Sequence, residues 1–464
     1  VVDRPMRTAG LGFVVVGMIL GACSGSPLGP VLEIEQAATA GPARSGDLVG
    51  TGSLRRPAHV VFDVLLPTGA EPGGVLAGAK AEVDAAVAAG QPIVPTGTTL
   101  TLLARADRPW DSQGARIIAK AFSPEELPKI AEGPGRIRIA VEVPHEAATG
   151  AIRDLATLAH HLAERAGGWV HNPSSDALYT PEVLAARLPK LAQGEISELI
   201  VIHQVVGDGE LSLLDTMGLS QLGVPELLVR DVPPGVADHF GNLLNLTATT
   251  LVAAGDVTNP GILVVDVNQL SAERRAEWWA DALAGATGRF TWRARWSVPE
   301  HGADDPGVDA PLSIELDVDD PSLDRGPAML AALDAFAGAA EDTPVIRSAD
   351  DPELAAAAQR ARTELARMLP PLAKGVTPGA SLSIKASFTS ADERVEWMWV
   401  DVLSARGTRF DGVLANEPSF ATQYKIGQRV QVDLADVADY VAIDLAGDRT
   451  GGYSIPILKR GSPQ

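Results

Sequence analysis

Val395-Glu396-Trp397-Met398-Trp399-Val400-Asp401-Val402-Leu403 is the stretch whose reading decides the fold of the C-terminal part of this chain. Aromatic and β-branched residues dominate it, and no Gly, Pro or Asn interrupts it, so it reads as a strand. Side chains alternate along a strand, which puts Trp397 and Trp399 on one face and Met398 and Val400 on the other. Glu396 and Asp401 lie at odd separation and therefore on opposite faces, where they make no general acid–base pair. Working outward, short strands are predicted at 382–388, 409–415, 429–434 and 440–444. Gly407, Asn416-Glu417-Pro418, Gly427 and residues 436–439 supply the turns. Five short strands with one helical turn before the last predict a small SH3-like β-barrel over 376–460. Gly412 and Gly427 read as bulge and turn positions.

Upstream the pattern changes. Residues 320–375 read as a helical connector, with helices at 329–337 and 354–368 and Pro370-Pro371 as the stop. Between 57 and 319 strands and helices alternate. Strands are expected at 60–65, 98–103, 138–143, 199–206, 226–229, 262–267, 289–298 and 312–318. Helices are expected at 78–89, 148–165, 236–254 and 272–283. In the second of these, Ile152, Leu155, Ala159 and Leu162 recur at helical spacing, and Gly167-Gly168 closes it. The fold class is therefore α+β: ferredoxin-like α/β sandwich regions over 57–319, in one domain or two, then the helical segment and the barrel.

The C-terminal module resembles the bacterial family known as domain of unknown function 2314. The residues that carry the resemblance are Glu396-x-Met398-Trp399-Val400, Phe410-x-Gly412-Val413-Leu414-x-Asn416-Glu417-Pro418, Gly427-Gln428-x-Val430 and Asp439-Tyr440. Members commonly carry Trp where this chain has Tyr440. The family has no assigned activity, so the resemblance implies no mechanism. Two strings of the middle, Gly168-Trp169-x-x-Asn172-Pro173 and Thr216-Met217-Gly218-Leu219 with Leu222-Gly223-x-Pro225-Glu226-Leu227, are similar to strings upstream of such modules in other uncharacterised bacterial proteins.

At the other end, Arg4 and Arg7 precede an apolar run from Leu11 to Leu20, followed by Leu20-Gly21-Ala22-Cys23. This is the layout of a secretory signal. The run is about half the ~20 residues of a spanning helix. Its end resembles the lipobox of bacterial lipoproteins, which implies that residues 1–22 are a signal peptide and that Cys23 carries diacylglycerol. Ser24 after the cysteine favours the outer over the inner membrane. Translation starting at Met6 would leave this pattern intact. Residues 23–56, rich in Gly, Pro, Ala and Ser, read as a lipid-anchored tether with a mean reach of roughly 30 Å.

The chain has 464 residues and a net charge of −21. So acidic a surface repels phosphate backbones and argues against nucleic-acid partners. Cys23 is the only cysteine, which excludes intrachain disulfides and cysteine-based metal or redox sites.

The short signals of hydrolases, phosphate loops and zinc proteases are missing, and no catalytic residue, metal or cofactor is assigned. A histidine site assembled from His145, His160, His171 and His203, and a calcium site on the aspartate run from Asp304 to Asp324, are the weighed alternatives to unrelated surface residues. Trp278, Trp279, Trp292 and Trp296 read as core of the middle region. The C-terminal module has neither His nor Cys, which argues against acid–base or nucleophilic chemistry there. Its tryptophans either pack on the barrel core or on the helices, or form an exposed platform beside the loop. In the latter case Trp397, Trp399, Asn416, Glu417 and Pro418 are the candidate binding residues. The expectation is a lipoprotein of the bacterial cell envelope, anchored at Cys23, that binds an envelope protein or peptide without catalysis. The alternatives are an envelope hydrolase with a site in 135–300 around His171, His203 and Glu210, and an immunity-type protein that binds a toxin.

Overall fold

The computed structural model describes residues 2–3, 46–104, 126–206, 211–233, 236–269, 288–297, 313–318, 323–337, 345–346, 351–390, 394–416, 418 and 421–459. Cys23, Trp278, Trp279, Glu210 and Glu417 lie outside them, as do most of the expected tether and of the aspartate run. The molecule mixes helices with several antiparallel sheets.

The first sheet holds β1 (Ala58–Leu65), β2 (Thr99–Ala104), β3 (Gly135–Val143), β4 (Trp169–Asn172) and β5 (Ala177–Tyr179), in the order β2-β3-β1-β4-β5, all antiparallel. β1 is buried at every position but one, which is why it reads as a continuous apolar run and not as an alternation. Its one acid, Asp63, is fully buried and receives both arms of Arg138 at 2.9 Å, with Arg136 at 3.4 Å. Helix α1 (Pro72–Ala88) follows β1, and α2 (Ala148–Ala166) joins β3 to β4. α2 buries Ile152, Leu155, Ala159 and Leu162 as the spacing predicts, and ends on Gly167 in the left-handed region at φ 66°. Gly168 is required next, because a Cβ there would lie 2.2 Å from the Leu65 carbonyl oxygen. Helix α3 (Pro181–Gln193) starts on Thr180, whose hydroxyl caps the Val183 N–H.

The second sheet contains β6 (Val201–Val206), β7 (Ser212–Met217), β8 (Glu226–Val232), β9 (Ile262–Asp266), β10 (Arg289–Ser297) and β11 (Ser313–Asp317), in the order β9-β10-β11-β8-β7-β6. It is two antiparallel three-stranded meanders, joined at its centre by the parallel pair β8–β11. The first meander is followed by α4 (Ala237–Ala254) and the second by α5 (Arg325–Ala337). Trp292 is fully buried among Phe240 and Phe290, and its indole N–H donates to the Thr247 hydroxyl at 2.9 Å. Trp296 is buried as well, so both take the core positions expected of them.

The Thr216–Leu227 string proves to be the staple between these two sheets. Gln221 donates to the Leu199 carbonyl and accepts from Asn172, while the Leu222 carbonyl meets His145 Nδ1 at 2.6 Å. Glu226 gathers the turn, accepting from the Thr216 hydroxyl and from the N–H groups of Gly218 and Ser220. One continuous buried cluster runs from Val49 through both sheets to Phe336.

The C-terminal part begins with α6 (Pro352–Leu372), capped by Asp351. Six strands follow: β12 (Ser381–Thr389), β13 (Val395–Arg406), β14 (Arg409–Leu414), β15 (Arg429–Asp433), β16 (Val437–Ile443) and β17 (Arg449–Gly451). A short helix α7 (Ile455–Lys459) comes last. Their order is β15-β14-β13-β12-β16-β17, antiparallel throughout. The two-residue segments Val2–Asp3 and Val345–Ile346 pair beside β13.

The expected barrel is not closed: β15 and β17 do not pair, and the described strands form an open sheet. Helix α6 occupies the inner face instead. Its Ala361, Leu365 and Leu372 pack on Ile384, Met398, Val400 and Phe410. The helix also runs through Pro370-Pro371, the expected stop. Buried Leu372 holds its last turn on the sheet, and i→i+3 bonds from Lys374 to Pro371 and Gly375 to Leu372 finish it. The segment read as connector thus supplies a wall of the C-terminal core. Leu445 packs on the large core, and Lys190 pairs with Asp448 at 3.0 Å, which joins this unit to α3.

Candidate binding surface on the C-terminal sheet

The alternation read along 395–403 holds. Glu396, Met398, Val400 and Val402 are buried on the side of α6, and Trp397, Trp399, Asp401 and Leu403 face outward. Outward is not the same as exposed. Trp399 is 2% exposed because α7 and β16 cover it with Ile455 and Val441. Of the two alternatives for Trp399, the exposed platform is not formed; the residue packs, in a second, smaller core built from a segment after 444 that the sequence reading left without structure. Trp397 is half-buried on the same face.

Asn416 is brought to Trp399 as the pattern suggested, but its role is architectural. Its side-chain oxygen accepts the Trp399 N–H at 2.7 Å and fixes the chain as it leaves β14. Pro418 is half-buried beside it. Across from Trp399 lies Lys385, almost wholly buried, with its ammonium 5.6 Å from the indole centroid. Beyond Lys385 in the same row, Asp439 accepts from the N–H groups of Tyr453 and Ser454 and from the Ser454 hydroxyl, which ties the turn into α7 to β16.

A second polar anchor secures α6. Glu364 accepts from the hydroxyls of Tyr440 (2.6 Å) and Tyr453, and Arg360 Nε reaches its other oxygen at 3.1 Å. These donors hold the Glu364 carboxyl down at about 2, the two tyrosines contributing most.

The open surface lies further along the outer face, where β13 turns into β14. A shallow depression of about 920 Å³ opens there, floored by Leu403 and Ser404 and walled by Arg406, Arg409, Arg429 and Gln431. Leu403 is 43% exposed, a large apolar side chain left at the surface. Arg409 lies 3.5 Å from Asp433, and Gln431 donates to Asp411 at 2.6 Å. Arg406 and Arg429 are exposed and have no carboxylate partner among the described residues. The sequence reading missed these residues. The available signal was three arginines on adjacent strands of a strongly acidic chain.

The histidines of the alternative site are placed separately. His171 on β4 pairs with Asp176 at 2.9 Å, His203 on β6 lies 3.8 Å from Asp215, and His160 lies 4.0 Å from Glu164 on its own helix. Each thus faces a neighbour of its own. Among the described residues no group of three His, Cys, Asp or Glu is placed to hold a metal ion. Asp317, from the aspartate run, engages Arg325 at 3.3 Å. Burial pushes the Glu226 carboxyl up to about 7, although its hydrogen-bond donors oppose the shift. It is enclosed between β7 and β8.

A DUF2314 domain spans residues 351–463, matching the family described as an uncharacterized protein conserved in bacteria. It covers about a quarter of the chain and starts at Asp351, the cap of α6. DUF2314 here therefore includes the helix as well as the sheet. No curated protein and no solved structure matches the chain.

Proposed function

We propose that this protein is a lipid-anchored component of the bacterial cell envelope that binds a partner, without catalysis, through the outer face of its DUF2314 domain. The observation that carries the reading is the depression at the β13–β14 turn. It combines an exposed leucine with two arginines that have no carboxylate partner among the described residues, on a sheet whose other face is sealed by α6. The partner is an envelope protein or an exposed peptide. The anchor is acylated Cys23 at the end of the lipobox-like Leu20-Gly21-Ala22-Cys23, with residues 23–56 as the leash and the outer membrane favoured over the inner. Among the described residues no helix is long and apolar enough to cross a membrane.

The β1-α1-β2-β3-α2-β4 sequence, with the short helix Glu126–Ala131 inserted between β2 and β3, and the strand order β2-β3-β1-β4 support reading the first sheet as ferredoxin-like. The small antiparallel sheet at the C-terminus supports an SH3-like origin in which α6 stands in for closure.

The test is affinity capture from detergent-solubilised envelopes, using the full chain and its Arg406→Glu/Arg429→Glu form as baits. A partner held by the first and lost by the second supports docking on this face, and equal capture refutes it. Failure of both baits to hold anything would turn attention to the hydrolase reading, tested by metal analysis and hydrolysis screens. Capture of a basic toxin would instead support the immunity reading. Cys23→Ala should move the protein out of the membrane fraction and abolish palmitate incorporation.

A further inference from the structure

We infer that the first sheet binds an oxyanion, the carboxylate or phosphate group of a small ligand, on the Nε–Nη2 edge of Arg136. The site lies in the body, outside DUF2314, and is independent of the docking reading.

The sheet sets the placement. Asp63, Arg136 and Arg138 sit on the face turned away from α2, since their neighbours Phe62, Val64, Ile137 and Ile139 pack with Ile152 and Leu155 on the other. Arg138 stands opposite Asp63, and exposed Thr101 of the edge strand β2 stands opposite Arg138. Both arginine side chains are largely buried, at 12% and 13% exposure.

The charges there are unequal. Two guanidinium groups share the one carboxylate of Asp63, and no other acid pairs with either among the described residues. His171, opposite Asp63 on β4, engages Asp176 at 2.9 Å. Glu142, the next acid along β3 on this face, is exposed and lies roughly 13 Å beyond Arg138 at the rise of a strand.

The guanidinium edges show what fits. Arg138 turns Nε and Nη2 on the two Asp63 oxygens, the side-on grip by which arginine holds a carboxylate or phosphate. Arg136 has the same two nitrogens buried, and neither has a hydrogen-bond partner among the described residues; Nε approaches Asp63 at 3.4 Å without forming one. Burial is the largest influence on the Arg136 guanidinium and pulls its pKa down despite the charge of Asp63, whereas the Asp63 hydrogen bond raises that of Arg138. Arginine keeps its proton inside a protein, so this buried cationic excess is relieved by a second anion. An oxyanion presents two oxygens to the Arg136 edge as Asp63 does to Arg138, and the approach is over β2 past Thr101.

The experiment uses the full chain in detergent, ¹⁵N-labelled on arginine, titrated with inorganic phosphate or with acetate against chloride at matched ionic strength. The expected result is saturable movement of the Arg136 Nε–H resonance and a rise in thermal midpoint with at least one oxyanion, and neither with chloride. A response to one of the two salts identifies the group, and a response to both assigns a site for either. Arg136→Lys keeps the charge and loses the side-on edge, so binding should weaken roughly tenfold, and Arg136→Met should abolish it. No saturable response to phosphate or acetate, movement confined to other arginines, or equal binding by the folded Lys and Met variants would each overturn the inference. The resonance of the parent protein decides the matter even where a variant fails to fold.

Discussion

Glu226 gives the sharpest test of the body's architecture. Burial raises its carboxyl from the ordinary 4.5 to about 7. At pH 4.5 and below, folded and unfolded chains both hold this proton. As pH rises from 4.5 towards 7, the unfolded chain releases it first and the folded chain keeps it. Stability therefore falls over that window, and levels off above about 7. At ~1.4 kcal/mol per pKa unit, the window amounts to about 3 kcal/mol. Glu226→Gln removes the titration. Its side-chain oxygen still accepts from Gly218 and Ser220, and its NH₂ donates to the Thr216 hydroxyl, which has the Leu227 carbonyl at 3.5 Å as an alternative acceptor. Urea unfolding at half-unit intervals from pH 4.5 to 8.5 should give equal stabilities at the acid end. At pH 8 the variant should be the more stable by up to about 3 kcal/mol. The difference between the two curves isolates Glu226 from every other acid. Parallel curves across the range would refute the argument that this carboxyl is held in its neutral form.

Other outcomes follow from the packing. Trp399→Ala empties a site enclosed by Val441 and Ile455 and should cost about 3–5 kcal/mol in urea unfolding. A loss under 1 kcal/mol would mean that α7 does not seat on the sheet. Asp63→Asn leaves Arg138 and Arg136 facing a neutral group at the centre of the first sheet, and about 3–5 kcal/mol should be lost. Glu364 should titrate by NMR near 2, and Tyr453→Phe should move its midpoint towards the usual carboxylate range. Because the folded value is depressed, the stability this anchor contributes is present above pH 4.5 and lost as pH falls towards 2. An unmoved midpoint would show that the Tyr453 hydroxyl is not a donor to it.

The sequence carried the periodic parts of this structure. Helix α2 appeared within a residue of its expected bounds because its apolar spacing and its Gly167 stop are local signals. The alternation in β13 separated Trp397 and Trp399 from Met398 and Val400 for the same reason, and left open which of the two faces is the inner one. Long-range partners were not legible. Nothing local to Trp399 says that Ile455 will cover it, and nothing in Pro370-Pro371 says that Leu372 will be pinned to a sheet. Barrel closure failed similarly, since strand count and turn spacing leave open which edges meet. The arginines of the depression were overlooked individually, because Arg406, Arg409 and Arg429 become neighbours only through the register of β13, β14 and β15. Conversely, the Thr216–Leu227 string was noticed as a pattern, and its meaning as a staple needed the positions of Leu199, Asn172 and His145.

The parallel pair at the centre of the second sheet governs the order in which the body can assemble. β8 and β10 are neighbours in space only through β11, whose Ser313 pairs with Glu226 and Ser297. The sheet is thus completed from the inside, by the last of its strands to be synthesised. Until β11 arrives, the first meander and the β9–β10 hairpin each have an unpaired edge, and the two edges need the same missing strand. Such late, sequence-distant closure slows folding and lengthens the interval in which chains recognise one another instead of themselves. The DUF2314 sheet, mostly joined by hairpins, escapes this dependence. The body is accordingly the part of the molecule whose yield will respond to chaperones, temperature and the rate of synthesis.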